Sequence, residues 1–222
     1  MKNWARLCVA AWAAATTHLV AGVAMVCVLR NGLATNPDLM ARLRFITEHP
    51  VSWTMAWLCW NGAALTILYF FVCLFRVNQS NDGWLLFPVM LATAGVAADL
   101  TAEAIAMGVW PEVAVQGLRA GTTATQQFEV LDRTVTMLTG YLANGLYALA
   151  TILVVWPTRS DYPRAVWLAG LGVGGAGLAL SIAALYGSVP ALLWTNALLV
   201  PCIVFWQVGV GITAGKRTQA LE

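Results

Sequence analysis

Two carboxylates four residues apart inside an otherwise apolar run are the part of this chain best suited to chemistry. Asp99 and Glu103 lie within Trp84 to Trp110, which reads as one continuous apolar helix. At that spacing the two acids stand one above the other on a single helical face. The same face carries Ala92, Gly95, Val96 and Ala106, small residues that suit packing against other helices rather than lipid. An acid at the centre of a bilayer costs roughly 3 kcal/mol on insertion scales. Two on one face therefore call for a partner, a proton, an ion or water.

Depth along the helices brings further polar side chains to the level of Asp99. It precedes Trp110 by 11 residues, or roughly 16 Å at the helical rise. The same depth falls on His18, Asn61 and Tyr141 in other apolar runs, with Asn144 one turn beyond Tyr141 on its face. The spacing thus predicts a polar layer near the middle of a hydrocarbon core about 30 Å thick. Trp57 and Trp60, close to Asn61, are expected to wall it, and indole rings suit a hydrophobic or cationic ligand. The ligand-binding set is then Asp99, Glu103, His18, Asn61, Tyr141, Asn144, Trp57 and Trp60, with Asp99, Glu103 and His18 as the candidates for acid–base work.

A plainer role competes at each position. Asn61, Asn144, Asn196 and Gln207 have the character of interhelical hydrogen-bonding residues, worth about 0.6 kcal/mol each on average. His18 can be a satisfied core imidazole. Glu103 sits in a shallower layer, within reach of Arg133 or Arg119, and Glu129 with Arg133 has the spacing of an intrahelical ion pair. Asp99 fits such roles least, because His18 is the sole basic side chain expected at its level.

Other chemistry is missing from the pattern. The two histidines, His18 and His49, lie at different depths, against a bis-histidine haem or a zinc site, and the five cysteines are scattered singly. There is no nucleophile elbow and no glycine-rich phosphate loop. The sequence predicts no metal and no cofactor. A net charge of +2 without a clustered basic face predicts no nucleic-acid partner.

The elements that must position these residues follow from composition. Of the 222 residues 60% are hydrophobic and 10% charged, far below the roughly 25% charged of soluble domains. The chain reads as one all-α polytopic membrane domain over 1–222, with six spans at 7–29, 51–75, 84–110, 130–156, 165–186 and 190–214. The first is expected to be a retained helix rather than a cleaved signal. Asn36, Pro37 and Asp38 make a helix-start signal, so a short amphipathic helix over Pro37 to Thr47 is expected in the membrane interface. Pro111 to Phe128 reads as a second long connection, and Asn78-Gln79-Ser80 matches a glycosylation triplet that is discounted. Gly170 with Gly174, and Gly211 with Gly215, have the spacing of close helix contacts, including a homo-oligomer contact.

Six spans place both termini on one side. That side collects Lys2, Arg6, Arg76, Arg159, Arg164, Lys216 and Arg217; the other collects Arg30, Arg42, Arg44, Arg119 and Arg133. The bias favours cytoplasmic termini, in a bacterial-type inner membrane or a plasma membrane. The partners expected are the bilayer and a small-molecule or lipid ligand. Three functions remain open at this point. The first is a pocket that binds or transports a small or hydrophobic ligand, with Asp99 carrying a coupling proton. The second is an embedded isomerase- or cyclase-type enzyme acting on a lipid or isoprenoid. The third is a structural subunit.

Overall fold

The structure is a computed structural model that describes residues 3–78, 84–120 and 122–220. Lys2 and residues 79–83, with most of the glycosylation triplet, lie outside the described residues. The described chain is helical throughout, with no strand. Six of its helices are long and apolar enough to cross a membrane, which makes this a multi-pass integral membrane protein.

Local chemistry sets the helix ends. Helix α1 (Trp4–Cys27) starts where the Asn3 side chain accepts from the Arg6 amide at 3.1 Å. The short helix α2 (Leu39–Glu48) starts two residues later than the sequence suggests, with Asp38 accepting from Ala41 N at 3.0 Å. Asn36 instead accepts from Asp38 N in the turn before it. Helix α3 (Pro50–Asn78) follows directly, with Pro50 in its first turn.

The largest departure from the sequence reading lies at 111–128. Helix α4 (Leu86–Ala120) continues through Pro111, and α5 (Thr122–Thr136) follows almost at once. Proline removes one backbone donor and crowds the preceding turn. Here the Trp53 indole donates to the Ala106 carbonyl at 2.7 Å, just ahead of that break. The segment also has apolar residues at helical spacing: Ala114 and Phe128 are buried, and Val113 and Leu118 pack beside them. Tertiary burial therefore overrides the polar threonine and glutamine content.

The fourth crossing is a composite. After α5 the chain forms a π-helical turn, Met137–Ala143, and then α6 (Asn144–Thr158). The wide turn rotates every later side chain relative to a continuous α-helix. Helix α7 (Arg164–Tyr186) ends at Gly187, whose φ of 69° is left-handed. The Gly187 and Ser188 amides return to Ala184 O and Ala183 O, a Schellman ending that glycine permits. Helix α8 (Val189–Gln219) completes the chain.

The six spans form a ring. Helix α1 packs on α3, α3 on α4, α4 on α6, α6 on α7, α7 on α8, and α8 back on α1. The start of α1 and the end of α8 lie at one end, where the Arg217 guanidinium stands 4.4 Å from the Trp4 ring. The opposite end holds α2, packed on α4 with Arg42, Leu43 and Ile46 buried. At the terminal end Phe70, Phe71 and Trp206 fill the ring. At the α2 end a second cluster gathers Trp53, Trp57, Trp110 and Phe128. The glycine faces are already covered within the chain. Gly170 meets Val155 and Trp206, Gly174 meets Ile152, Gly211 meets Trp12 and Ala11, and Gly215 meets Cys8.

Candidate functional site

The ring encloses a cavity of about 800 Å³ bordered by all six spans and by Trp57 and Trp110 of the aromatic cluster at the α2 end. Its wall is mostly aliphatic and indole. Against that wall stand Asp99 and Glu103 from α4, which are 8% and 2% exposed. The Tyr147 hydroxyl of α6 donates to Asp99 Oδ2 at 3.3 Å, and Thr139 of the π turn borders the same carboxylate.

Several buried polar atoms around this cavity find no hydrogen-bond partner among the described residues. They are Asp99 Oδ1, Glu103 Oε2 and the indole nitrogens of Trp57, Trp60 and Trp110. Buried polar groups in folded proteins are otherwise nearly always paired. His18, on α1, also borders the cavity. Its Nδ1 lies 2.8 Å from the Ala14 carbonyl, and since a carbonyl only accepts, that nitrogen carries the hydrogen. The Gln207 amide nitrogen approaches the same Nδ1 at 3.5 Å, and Gln207 Oε1 is buried without a partner among the described residues.

Of the sequence-derived set, the structure brings Asp99, Glu103, His18, Trp57, Trp60 and Asn144 to this one cavity, and Asn196 with them. Two members fall elsewhere. Asn61 turns back to donate to the Trp57 carbonyl on its own helix at 3.3 Å. Tyr141 points outward and is 41% exposed. The π turn is the reason: Tyr141 lies inside it, so a depth count along a regular helix assigns it the wrong face. Tyr147 takes the place beside Asp99. Asn144, Tyr147, Ala148 and Thr151 share one face of α6 and all border the cavity, so helical spacing counted from Asn144 would have found Tyr147.

The expected ion pairs are also rearranged. Arg133 donates to Ala184 O and, at 2.7 Å, to Leu185 O, capping the end of α7. Neither Glu129 nor Glu103 pairs with it, and the two ion pairs among the described residues are Arg42–Asp132 and Arg217–Asp161. The carbonyls left open at a helix C-terminus attract the guanidinium more than an exposed neighbouring carboxylate does. The pair that sequence spacing missed is Arg42 to Asp132, at 2.7 Å with side chains 7% and 13% exposed. Arg42 also donates to Gly32 O at 3.0 Å and stands over the Phe128 ring. This pair ties α2 to α5 at the edge of the cavity, which Asp132 borders.

The cavity differs at its two ends. Toward the termini it stops at Ile67, Thr151, Val173 and Ile203, beyond which the Phe70, Phe71 and Trp206 rings pack with centroids 5.1 to 6.2 Å apart. Toward α2 it reaches the outer surface of the bundle between α1 and α8. There Leu19, Val23 and Val26 of α1 and Leu193 of α8 border it while remaining 47% to 59% exposed. Among the described residues no group of three or more histidine, cysteine, aspartate or glutamate side chains is placed to hold a metal.

Comparison of the chain with protein-family models, curated proteins and solved structures finds no significant match. Fold and cavity define a multi-pass helical membrane protein with a buried acidic chamber, closed toward its termini and open toward α2.

Proposed function

We propose that this protein binds a membrane-soluble small molecule in the cavity, with the ligand's polar group held by Asp99, Glu103 and Tyr147. The observation that carries the reading is the collection of unpartnered buried polar atoms around a single cavity. Each such atom costs about 1–3 kcal/mol when left unsatisfied. Residues that merely glue helices together would pair with each other, as Thr17 and Thr66 do at 2.6 Å across α1 and α3. The volume also suits one small molecule, since ligand pockets run from about 300 to 1,000 Å³.

The basic-residue bias supports placing the termini in the cytoplasm and the cavity mouth outside. Helix α2 then lies in the outer interface beside that mouth. Transport is an extension of this reading in which Asp99 carries the coupling proton. It requires the Phe70, Phe71 and Trp206 cluster to part, because that packing closes the inner half.

A density map of the protein in lipid nanodiscs tests the reading. Ordered density beside Asp99 and Glu103 is expected. An empty, dry cavity with both carboxyls paired to neighbouring side chains would overturn it.

A further inference from the structure

The charge balance of the cavity indicates what kind of molecule it takes, if the binding reading above is accepted. Four ionisable side chains of fixed sign border it: Asp99, Glu103, Asp132 and Arg30. Asp132 is balanced by Arg42 at 2.7 Å. Arg30 is exposed and lies at the α2 end of α1. His18 places its Nδ1 hydrogen on its own helix. Asp99 and Glu103 are therefore left in the interior with no cation beside them among the described residues.

A second observation is independent of the acids. Trp57, Trp60 and Trp110 border the same cavity, with Trp110 fully buried and Trp57 4% exposed, and their indole nitrogens are unpartnered among the described residues. Indole walls attract a cation and also accommodate apolar groups. A small metal ion is a poor fit, since hard cations want six or more oxygens and this wall is mostly carbon. An anion would meet two carboxyls. A neutral molecule would leave a bound proton as the sole means of neutralising them.

We propose that the ligand is a lipophilic organic cation, an amine or quaternary onium group on an apolar body. Its charge lies against Asp99 and Glu103 among the tryptophans. Its apolar part extends toward Leu19, Val23 and Leu193, where the cavity reaches the bundle surface between α1 and α8. Such a molecule partitions into the bilayer, and the mouth between these two helices faces the region where it would dissolve.

Tetraphenylphosphonium and tetraphenylborate test the proposal, because they match in size and apolar surface and differ in the sign of the charge. Binding is measured by equilibrium dialysis against the protein in phosphatidylcholine nanodiscs, with empty nanodiscs subtracted. Saturable binding of one phosphonium per protein is expected, at least about tenfold tighter than the borate. Glu103→Gln and Asp99→Asn should each weaken the phosphonium by at least about tenfold while leaving borate binding unchanged. Equal saturable binding of both probes, or tighter borate binding, would overturn the cation proposal and leave the binding reading standing. A preference for phosphonium that survives both substitutions would also overturn it, by placing the cation elsewhere. Saturable binding of neither probe would overturn the cation proposal as well. The comparison of the two ions on the wild-type protein decides the matter even if a carboxamide variant fails to fold.

Discussion

Replacing Arg42 by methionine removes the positive half of the buried pair that ties α2 to α5. The N–O distance of 2.7 Å and side-chain exposures of 7% and 13% place the pair among buried rather than surface ion pairs. Breaking a buried pair from one side costs about 3–5 kcal/mol, most of it from the charge left behind. Loss of the Arg42 hydrogen bond to Gly32 O adds about 1 kcal/mol. Loss of the contact with Phe128, 5.2 Å from the guanidinium carbon, adds about 0.5–1 kcal/mol. These two losses fall largely within the cost of breaking the pair, so Arg42→Met should destabilise by about 3–5 kcal/mol. Adding Asp132→Asn removes the stranded charge and should recover at least about 2 kcal/mol. The assay is denaturant unfolding in micelles followed by circular dichroism, with Asp161→Asn as a control. The Arg217–Asp161 pair is 3.9 Å long and 36% and 41% exposed, so that control should shift stability by less than about 1 kcal/mol. An Arg42→Met cost under about 1 kcal/mol, with no recovery in the double variant, would refute the reasoning. It would mean that water reaches Asp132 and that the α2 end of the cavity is fully hydrated.

Three further outcomes follow from packing and topology. A Cβ added at Gly170 would lie 2.6 Å from Val155 and 2.9 Å from the Trp206 indole, whereas none meets a neighbour at Gly175. Gly170→Ala should then cost about 1–3 kcal/mol in thermal melting, and Gly175→Ala should be neutral or stabilising by up to about 1 kcal/mol. In a variant stripped of its five native cysteines, Thr123→Cys should react with an impermeant thiol reagent from outside and Gln219→Cys should not. The reverse pattern would put the cavity mouth in the cytoplasm. Spin labels placed along Leu39–Glu48 should show accessibility with a period near 3.6 residues and a minimum at Arg42, Leu43 and Ile46. Uniform aqueous accessibility would mean that α2 does not rest on α4 in the membrane.

The crossings were legible because apolar length alone specifies a span, whatever the neighbours do. The acid pair was legible for the same reason, since a carboxylate in such a run stands out without any knowledge of packing. What escaped were features that depend on tertiary burial. Pro111 carries the local signature of a helix stop, yet the burial of Trp110 and Ala114 on one face keeps α4 going. Tyr141 and Tyr147 exchange roles because seven residues adopt a π turn, and nothing in Met137–Ala143 announces a change of helical pitch. Arg133 has a well-spaced acid four residues before it but turns to the carbonyls at the end of α7. Those carbonyls come near only once six helices have assembled. The Arg42–Asp132 pair joins residues 90 apart in sequence, beyond the reach of any local spacing rule.

The measurement that bears most directly on the cavity as a binding site is the thermal stability of Asp99→Asn and Glu103→Gln, singly and together, in detergent. Asparagine at 99 keeps an oxygen for the Tyr147 hydroxyl, now 3.3 Å from Asp99 Oδ2, and both changes remove an ionisable carboxyl that has no cation beside it among the described residues. If the acids are kept for a ligand rather than for packing, each variant melts at or above the wild type and the double variant is the most stable. A loss on the order of 1–3 kcal/mol in the single variants, the size expected when a buried hydrogen-bond partner is removed, would contradict the account. Asp99 and Glu103 would then be part of what holds the ring of helices together.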